Sequence, residues 1–228
     1  MERDSIRCVA FDCDGVLVDS VSSWRTVHEY YGTDNSLMLA KFLAGEISDE
    51  QFMRADIALL KQKQARIHRD EIFRTFSGIK LMPGAKRLIK DLRENGVYVA
   101  IISAGVDLFV STIASMLDVD DWIANGFEFD EDGWLTDDGI IRLSAWDKAS
   151  AISRMLNSID CSPEHLVSVG DSVMDLSMRV EGSRFIGFNP ARQSAIDGFE
   201  EAGVPVISSK DIDLLRPYLN LESSGKGN

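Results

Sequence analysis

The stretch FDCDG places two carboxylates, Asp12 and Asp14, directly after the apolar run Ile6 to Phe11. Comparable chemistry recurs at three later points: Ser103 in IISAG, Lys148 in AWDKAS, and Asp171 with Asp175 in VGDSVMD. Three or four carboxylates gathered with one lysine and one hydroxyl form a cluster of like charge that needs a cation among them. Ligands that are all oxygen suit Mg²⁺.

The elements around these residues give them a reason to meet. Short apolar runs, CVAF before Asp12, VYVAII before Ser103, LVSVG before Asp171, then RFIGF and VPVI, alternate with helical patterns. That alternation predicts an α/β fold, a parallel sheet with helices on both faces. Strand C-terminal ends converge on one edge of such a sheet, so Asp12, Asp14, Ser103, Asp171 and Asp175 converge there too. Lys148 is read as opening a helix on the same side. Asp171 and Asp175 lie one turn apart if a helix starts there. Pro83 to Gly96 reads as a surface helix of the sheet layer, with Leu88, Ile89 and Leu92 as its apolar stripe.

About 80 residues separate the first two strands, too many for a simple crossover. A mostly helical insert is expected at 20–80, where Ser48 and Gln51 form a capping-box pattern and Phe52, Ala55 and Leu59 follow at helical spacing. The boundaries read are 1–19 with 81–220 for the sheet domain, 20–80 for the insert and 221–228 for a disordered tail. FEFDEDGWLTDDGIIRL alternates in strand fashion about Asp132 and Gly133 and reads as an inserted β-hairpin. Its acidic residues imitate the start of a calcium loop, but Gly139 stands where the closing Glu belongs.

With 228 residues, 45% of them hydrophobic, the chain can bury a large core. A net charge of −13 argues against nucleic acid or an anionic membrane as partner. Cys8, Cys13 and Cys161 are odd in number and suggest no disulfide framework. Residues 1–8 do not resemble a signal peptide, and the longest apolar run, Val97 to Ile102, is too short to span a bilayer. A soluble cytoplasmic protein acting on a small molecule is expected.

The order DxDG, a strand-end hydroxyl, a lysine and GDSxxD resembles the haloacid dehalogenase superfamily, specifically its phosphoserine-phosphatase-like branch. VYVAIISAGVDLFV, the hairpin and GEISDEQFMRADIALLK are also similar to that branch, so the likeness spans nearly the whole chain. It implies a Rossmann-like core with a small helical cap and an Mg²⁺-dependent phosphomonoester hydrolase working through an aspartyl-phosphate. Asp12 would be the nucleophile, Asp14 the general acid and base, and Lys148 the charge partner of nucleophile and phosphate. Ser103 and the amides of Ala104 and Gly105, opening a helix, would face the phosphate. The metal would rest on the Asp12 and Asp171 side chains and the Asp14 main-chain carbonyl. Asp175 would act through metal-bound water or by orienting Lys148.

The resemblance also exposes departures. The family's amine-reading glutamate is Val21 here, its carboxylate-binding arginine aligns with Asp56, and the asparagine before the last motif Asp is Met174. Arg54 lies about 200° around the helix from Asp56 and cannot replace that arginine without a register shift. Asp56, if it faces the substrate, favours hydroxyl or amine groups over a free carboxylate. The expectation is therefore a phosphatase for a different small phosphomonoester; phosphoserine phosphatase proper and a phosphomutase or phosphotransferase are the alternatives. Trp24, His28, Tyr30 and Tyr31 are candidates for a pocket under the cap, and His68 and His165 are read as surface residues. Singly, each motif has a plainer reading: a turn for Asp12 and Asp14, a solvated Ser103, a surface Lys148, an N-cap at Asp171.

A signalling receiver domain carries a similar acidic cluster, but its phosphoacceptor comes later in the chain and its first strand is followed by no comparable insert. Dehalogenation needs no acid such as Asp14 for its leaving group.

Overall fold

The computed structural model describes residues 5–222. Its sheet has seven strands: β1 (Cys8–Phe11), β2 (Tyr98–Val106), β3 (Asp121–Phe129), β4 (Leu135–Ile140), β5 (Leu166–Gly170), β6 (Arg184–Phe188) and β7 (Val206–Ile207). Their spatial order is β4-β3-β2-β1-β5-β6-β7, and every pairing is parallel except β3 with β4. The chain reverses its direction of travel across the sheet at β1, the position where open α/β sheets form their ligand crevice.

Alternation along the strands supplies both cores. Val9 and Phe11 pack with Leu88, Ile89 and Leu92 of α5 (Ala85–Glu94) and with Val110 of α6 (Asp107–Leu117). Cys8 and Ala10 face the other way, onto Ile152 and Leu156 of α7 (Lys148–Ser158) and Phe199 of α8 (Gln193–Glu201). A strand buried on both faces reads as an unbroken apolar run, which is what made β1 and β5 visible in the sequence. Cys8, Cys13 and Cys161 are free and buried among these residues.

Between β1 and α5 lie four helices: α1 (Ser23–Tyr31), α2 (Ser36–Leu43), α3 (Asp49–Lys63) and α4 (Arg69–Thr75). Ser48 and Gln51 form the expected capping box on α3, with Asp49 and Glu50 in its first turn and Lys61 and Lys63 in its last. Such a cap contributes about 1 kcal/mol. Helix α3 and the segment after it rest on the hairpin. Lys61 Nζ donates to Asp137 at 2.5 Å, Arg54 pairs with Asp138, and the Arg66 guanidinium lies 4.1 Å from the Trp134 ring centre.

The structure corrects several expectations. The hairpin forms as expected, Phe127 opposite Gly139 and Phe129 opposite Leu135, but its first strand begins earlier than expected, at Asp121, where it pairs with β2 from Ala100 with Asp121 to Ile102 with Ile123. Strand β2 continues past Ser103 to Val106, and α6 starts only at Asp107, so Ala104 and Gly105 are extended rather than helix-opening. The segment after Asp171 forms a 3₁₀ turn over Val173–Met178, not an α-helix. His68 and His165 are part-buried, not free surface groups: His68 packs edge-on against Trp134, and His165 Nδ1 lies 2.7 Å from the Ser5 carbonyl. Of the expected disordered tail, 223–228 lies outside the described residues, whereas Leu221 and Glu222 are tied to Arg216.

Candidate active site

Strand register assembles the site. Phe11 lies beside Ile101 of β2 on one side and Val169 of β5 on the other. Asp12, Ser103 and Asp171 follow one or two residues beyond that row. Lys148, the first residue of α7, reaches in from the layer that covers Cys8 and Ala10. A cation at a helix N-terminus is ordinarily unfavourable. Here two carboxylates outweigh the dipole: Lys148 Nζ donates to Asp12 Oδ1 and to Asp175 Oδ1, both at 2.6 Å. Burial acts to lower the lysine's pKa, but the Asp12 and Asp175 charges and hydrogen bonds overcome it and hold Lys148 above its ordinary range.

Asp175 is fully engaged. Its Oδ2 accepts from the amides of Asp171 (3.2 Å) and Ser172 (2.9 Å) and from Ser172 Oγ (2.7 Å). Of the two roles expected for it, orienting Lys148 is the one these contacts describe. Among the described residues the Asp171 carboxylate accepts no hydrogen bond, and burial followed by the charges of Asp175, Asp12 and Asp14 pushes its pKa well above the usual carboxylate range. Oxygens of Asp12, Asp171 and Asp175 lie within 4.8 Å of one another. A buried all-oxygen set with four carboxylates against one ammonium fits a hard divalent cation. Gly15 makes room for the Asp171 carboxylate: with φ at +75°, a Cβ there would sit 2.4 Å from Asp171 Oδ2. Gly15→Ala is therefore expected to weaken Mg²⁺ binding by at least about tenfold, measured calorimetrically; unchanged affinity would contradict this placement.

Asp14 is held from the cap. Its Oδ2 accepts from the Ser23 amide at 2.8 Å and from Ser23 Oγ at 2.7 Å, while its buried Oδ1 has no partner among the described residues. Burial lifts its pKa to about 6 against the lowering effect of the Ser23 donors. Ser103 is buried, and its Oγ accepts from the Gly105 amide at 3.1 Å. The Ala104 carbonyl accepts from Trp24 Nε1 at 2.9 Å. The backbone at Ala104 and Gly105, expected to open a helix, is a strand instead, and the Gly105 amide is engaged by Ser103.

Burial likewise raises Asp12 to about 7, with Lys148 opposing and Asp175 and Asp14 adding to the rise. These shifts carry a sign for stability. The folded, metal-free protein keeps both protons to about 6 and about 7, whereas the ordinary value is 3.8. The resulting stabilisation is complete below the unfolded value and is lost as pH rises through the folded ones. The Tm of metal-free protein should fall between about pH 5 and pH 8, and Mg²⁺ should raise Tm more at the higher pH. A metal-free Tm that climbs over this range would contradict the shifts.

A cavity of about 550 Å³ joins these groups to the cap. Trp24, His28, Asn35, Leu39, Phe52 and Asp56 line it from the cap side, with Arg25 and Arg192 at exposed positions. Asp56 borders the cavity but is saturated and only 2% exposed: Asn35 Nδ2 lies 3.1 and 3.3 Å from its oxygens and His28 Nε2 lies 3.3 Å away. Its carboxylate therefore sits behind His28 and Asn35 instead of facing a substrate openly. Val21 lines the cavity, as do Trp24 and His28, whereas Tyr30 and Tyr31 do not. Arg54 is exposed and turned to Asp138. In the hairpin, Asp130 Oδ1 accepts from the amides of Asp132 (3.1 Å) and Trp134 (2.8 Å), which makes it a turn residue. Sequence reading missed Ser23, Asn35, Arg25, Arg192 and Asn189, whose side chain donates to the Gly15 carbonyl at 3.2 Å.

A parallel sheet that converges an acidic pair, a hydroxyl, a lysine and a second acidic pair at its switch point defines a phosphoryl-handling hydrolase of the haloacid dehalogenase type. The pattern of that family, haloacid dehalogenase-like hydrolase, matches residues 9–179, and the chain belongs to it. It is an enzyme of the phosphatase kind within the family. It is similar to the phosphoserine phosphatase of Archaeoglobus fulgidus, with 30% identity over 187 residues, 80% of this chain and 52% of that protein. The chain therefore spans about half the length of that relative. It is also similar to the phosphoserine phosphatase of Polaromonas sp., at 25% identity over 90% of this chain and 89% of that protein. In fold it resembles a substrate-bound phosphoserine phosphatase (TM-score 0.79, 22% identity, 95% of this chain and 99% of that one). A phospho-aspartyl intermediate analogue of phosphoserine phosphatase is equally near (TM-score 0.79, 24% identity, 95% and 100%). No helix of the described residues is long and apolar enough to cross a membrane.

Proposed function

We propose that this protein hydrolyses small phosphomonoesters in two half-reactions at Asp12, with Mg²⁺ held by Asp12, Asp171 and the Asp14 main-chain carbonyl. The observation that carries this reading is the Lys148 bridge between Asp12 and Asp175, with Asp14 held two residues away by Ser23. The bound cation supplies charge neutralisation for the carboxylates and phosphoryl oxygens. In the first half-reaction an Asp12 oxygen bonds to phosphorus as the ester P–O bond breaks, and Asp14 gives its proton to the departing alkoxide. In the second, Asp14 takes a proton from water, which attacks the aspartyl-phosphate and releases inorganic phosphate and the Asp12 carboxylate. Lys148 offsets the charge gathered on Asp12 and the phosphoryl group, and Ser103 donates its hydroxyl proton to a phosphoryl oxygen. Residues 20–80 act as the cap. The unpaired thiols of Cys8, Cys13 and Cys161 fit a reducing compartment, so we place the enzyme in the cytoplasm.

For specificity, Asp56 borders the cap wall with its carboxylate engaged by Asn35 and His28, where a carboxylate-bearing substrate needs a cation. Asp56 thus supplies no cation to that wall, and a free substrate carboxylate lodged there would find no counter-charge from it. This favours an ester carrying hydroxyl or amine groups. The second reading, phosphoserine itself, is favoured by the names of the relatives and by Arg25 and Arg192 beside the cavity. Arg25 is spoken for by Glu29 at 2.7 Å, which leaves Arg192 as the better carboxylate reader. The test is Mg²⁺-dependent phosphate release from phosphoserine beside neutral and cationic esters, with Asp12→Asn as the blank. Preference for a non-carboxylate ester supports the first reading. A phosphoserine preference that Arg192→Ala abolishes supports the second. Transfer to an added sugar phosphate without phosphate release would mark a mutase instead.

A further inference from the structure

We infer that Ser23 is a positioning residue for Asp14: it holds Oδ2 as a pure acceptor and so commits Oδ1 to proton exchange with the leaving oxygen. The inference rests on the hydrolase reading above and concerns a residue that the motifs do not contain. Its warrant is the direction of three hydrogen bonds. The Val106 amide donates to Ser23 Oγ at 3.0 Å, and an amide N–H can only donate. The Ser23 hydroxyl proton is therefore turned away from Val106 and toward Asp14 Oδ2, 2.7 Å off. The Ser23 amide, also only a donor, reaches the same oxygen at 2.8 Å. With two protons already directed at it, Oδ2 cannot carry a third without losing one of them. When Asp14 is the acid, its proton is thereby placed on Oδ1, the buried oxygen without a partner among the described residues.

The surroundings keep this arrangement in register. Ser23 is fully buried, in the first turn of α1, whose N-cap is Ser22. Val106 ends the strand that carries Ser103, so one hydroxyl links the cap's first helix, the acid and the phosphate-side strand. Gly105 allows the approach: a Cβ at that position would lie 2.7 Å from Ser23 Oγ and 2.8 Å from Asp14 Oδ2. A shift of the acid by about 1 Å can cost on the order of 100-fold in rate.

The role separates from mere structural support by its dependence on the leaving group. A departing p-nitrophenolate needs no proton; an alkoxide does. Ser23→Ala should lower the single-turnover rate on an alkyl phosphate by roughly 10- to 100-fold. It should leave the burst of p-nitrophenolate from p-nitrophenyl phosphate within about threefold of wild type and Mg²⁺ affinity unchanged. Ser23→Thr should restore alkyl phosphate cleavage. In an Asp14→Asn background, Ser23→Ala should have less than about a twofold further effect, because the serine acts through the missing acid. Equal losses on both esters, additivity with Asp14→Asn, or a wild-type rate on the alkyl ester would each overturn the role. If wild type and Asp12→Asn released phosphate equally, the hydrolase reading itself would fail, a result distinct from any of these.

Discussion

Asp12→Asn is expected to abolish turnover, by at least about four orders of magnitude, on every phosphomonoester the wild type accepts. The amide is isosteric but cannot displace an alkoxide from phosphorus, and the carboxylates of Asp175 and Asp14 have other engagements. Asp175 is consumed by Lys148 and by its own turn, and Asp14 is held by Ser23. The fold should survive, because Lys148 retains Asp175 and the buried Asp12 carboxylate, with its pKa raised to about 7, is itself unfavourable when charged. The variant should therefore melt at or above the wild-type temperature in metal-free buffer at about pH 8. Residual phosphate release above about one part in a thousand would point to another nucleophile.

The second large effect belongs to Asp14→Asn. Removing a positioned acid and base costs about 10²- to 10⁴-fold, and the loss should fall on esters with basic leaving groups. Release of p-nitrophenolate in the first turnover should persist, while the aspartyl-phosphate then accumulates for want of a base. Mg²⁺ binding should remain, since the main-chain carbonyl of residue 14 is unaltered. Stopped-flow measurement of the burst beside steady-state turnover checks this. Turnover on alkyl phosphates equal to wild type would remove Asp14 from the proton path.

What could be read in advance follows from physical causes. Strands β1, β5 and β6 are buried on nearly every residue and so appear as apolar runs, and the chemical residues follow β1 and β5 within five positions. The capping box at Ser48 is local in sequence and therefore visible. The first half of β3 was hidden because Asp121 and Trp122 are exposed there and no apolar run marks them. The end of β2 was misplaced because Ser-Ala-Gly looks like a turn, whereas it stays extended to bring Ser103 and Val106 into the site. Ser23 carries no periodicity at all. It becomes meaningful only when the strand register brings Val106 to one side of it and Asp14 to the other. Asp56 illustrates the opposite limit: its position in the cap was foreseen, but its saturation by Asn35 and His28 depends on α1, α2 and α3 meeting in space.

The central claim is that the phosphoryl group passes through a covalent bond to Asp12, and the intermediate can be caught chemically. Acid-quenching the enzyme during turnover and reducing it with borohydride converts an aspartyl-phosphate to homoserine, which peptide mass spectrometry locates. Homoserine at position 12, dependent on both substrate and Mg²⁺ and absent without substrate, is the predicted result. A turning-over enzyme that yields none there, or yields it at another aspartate, would contradict the account.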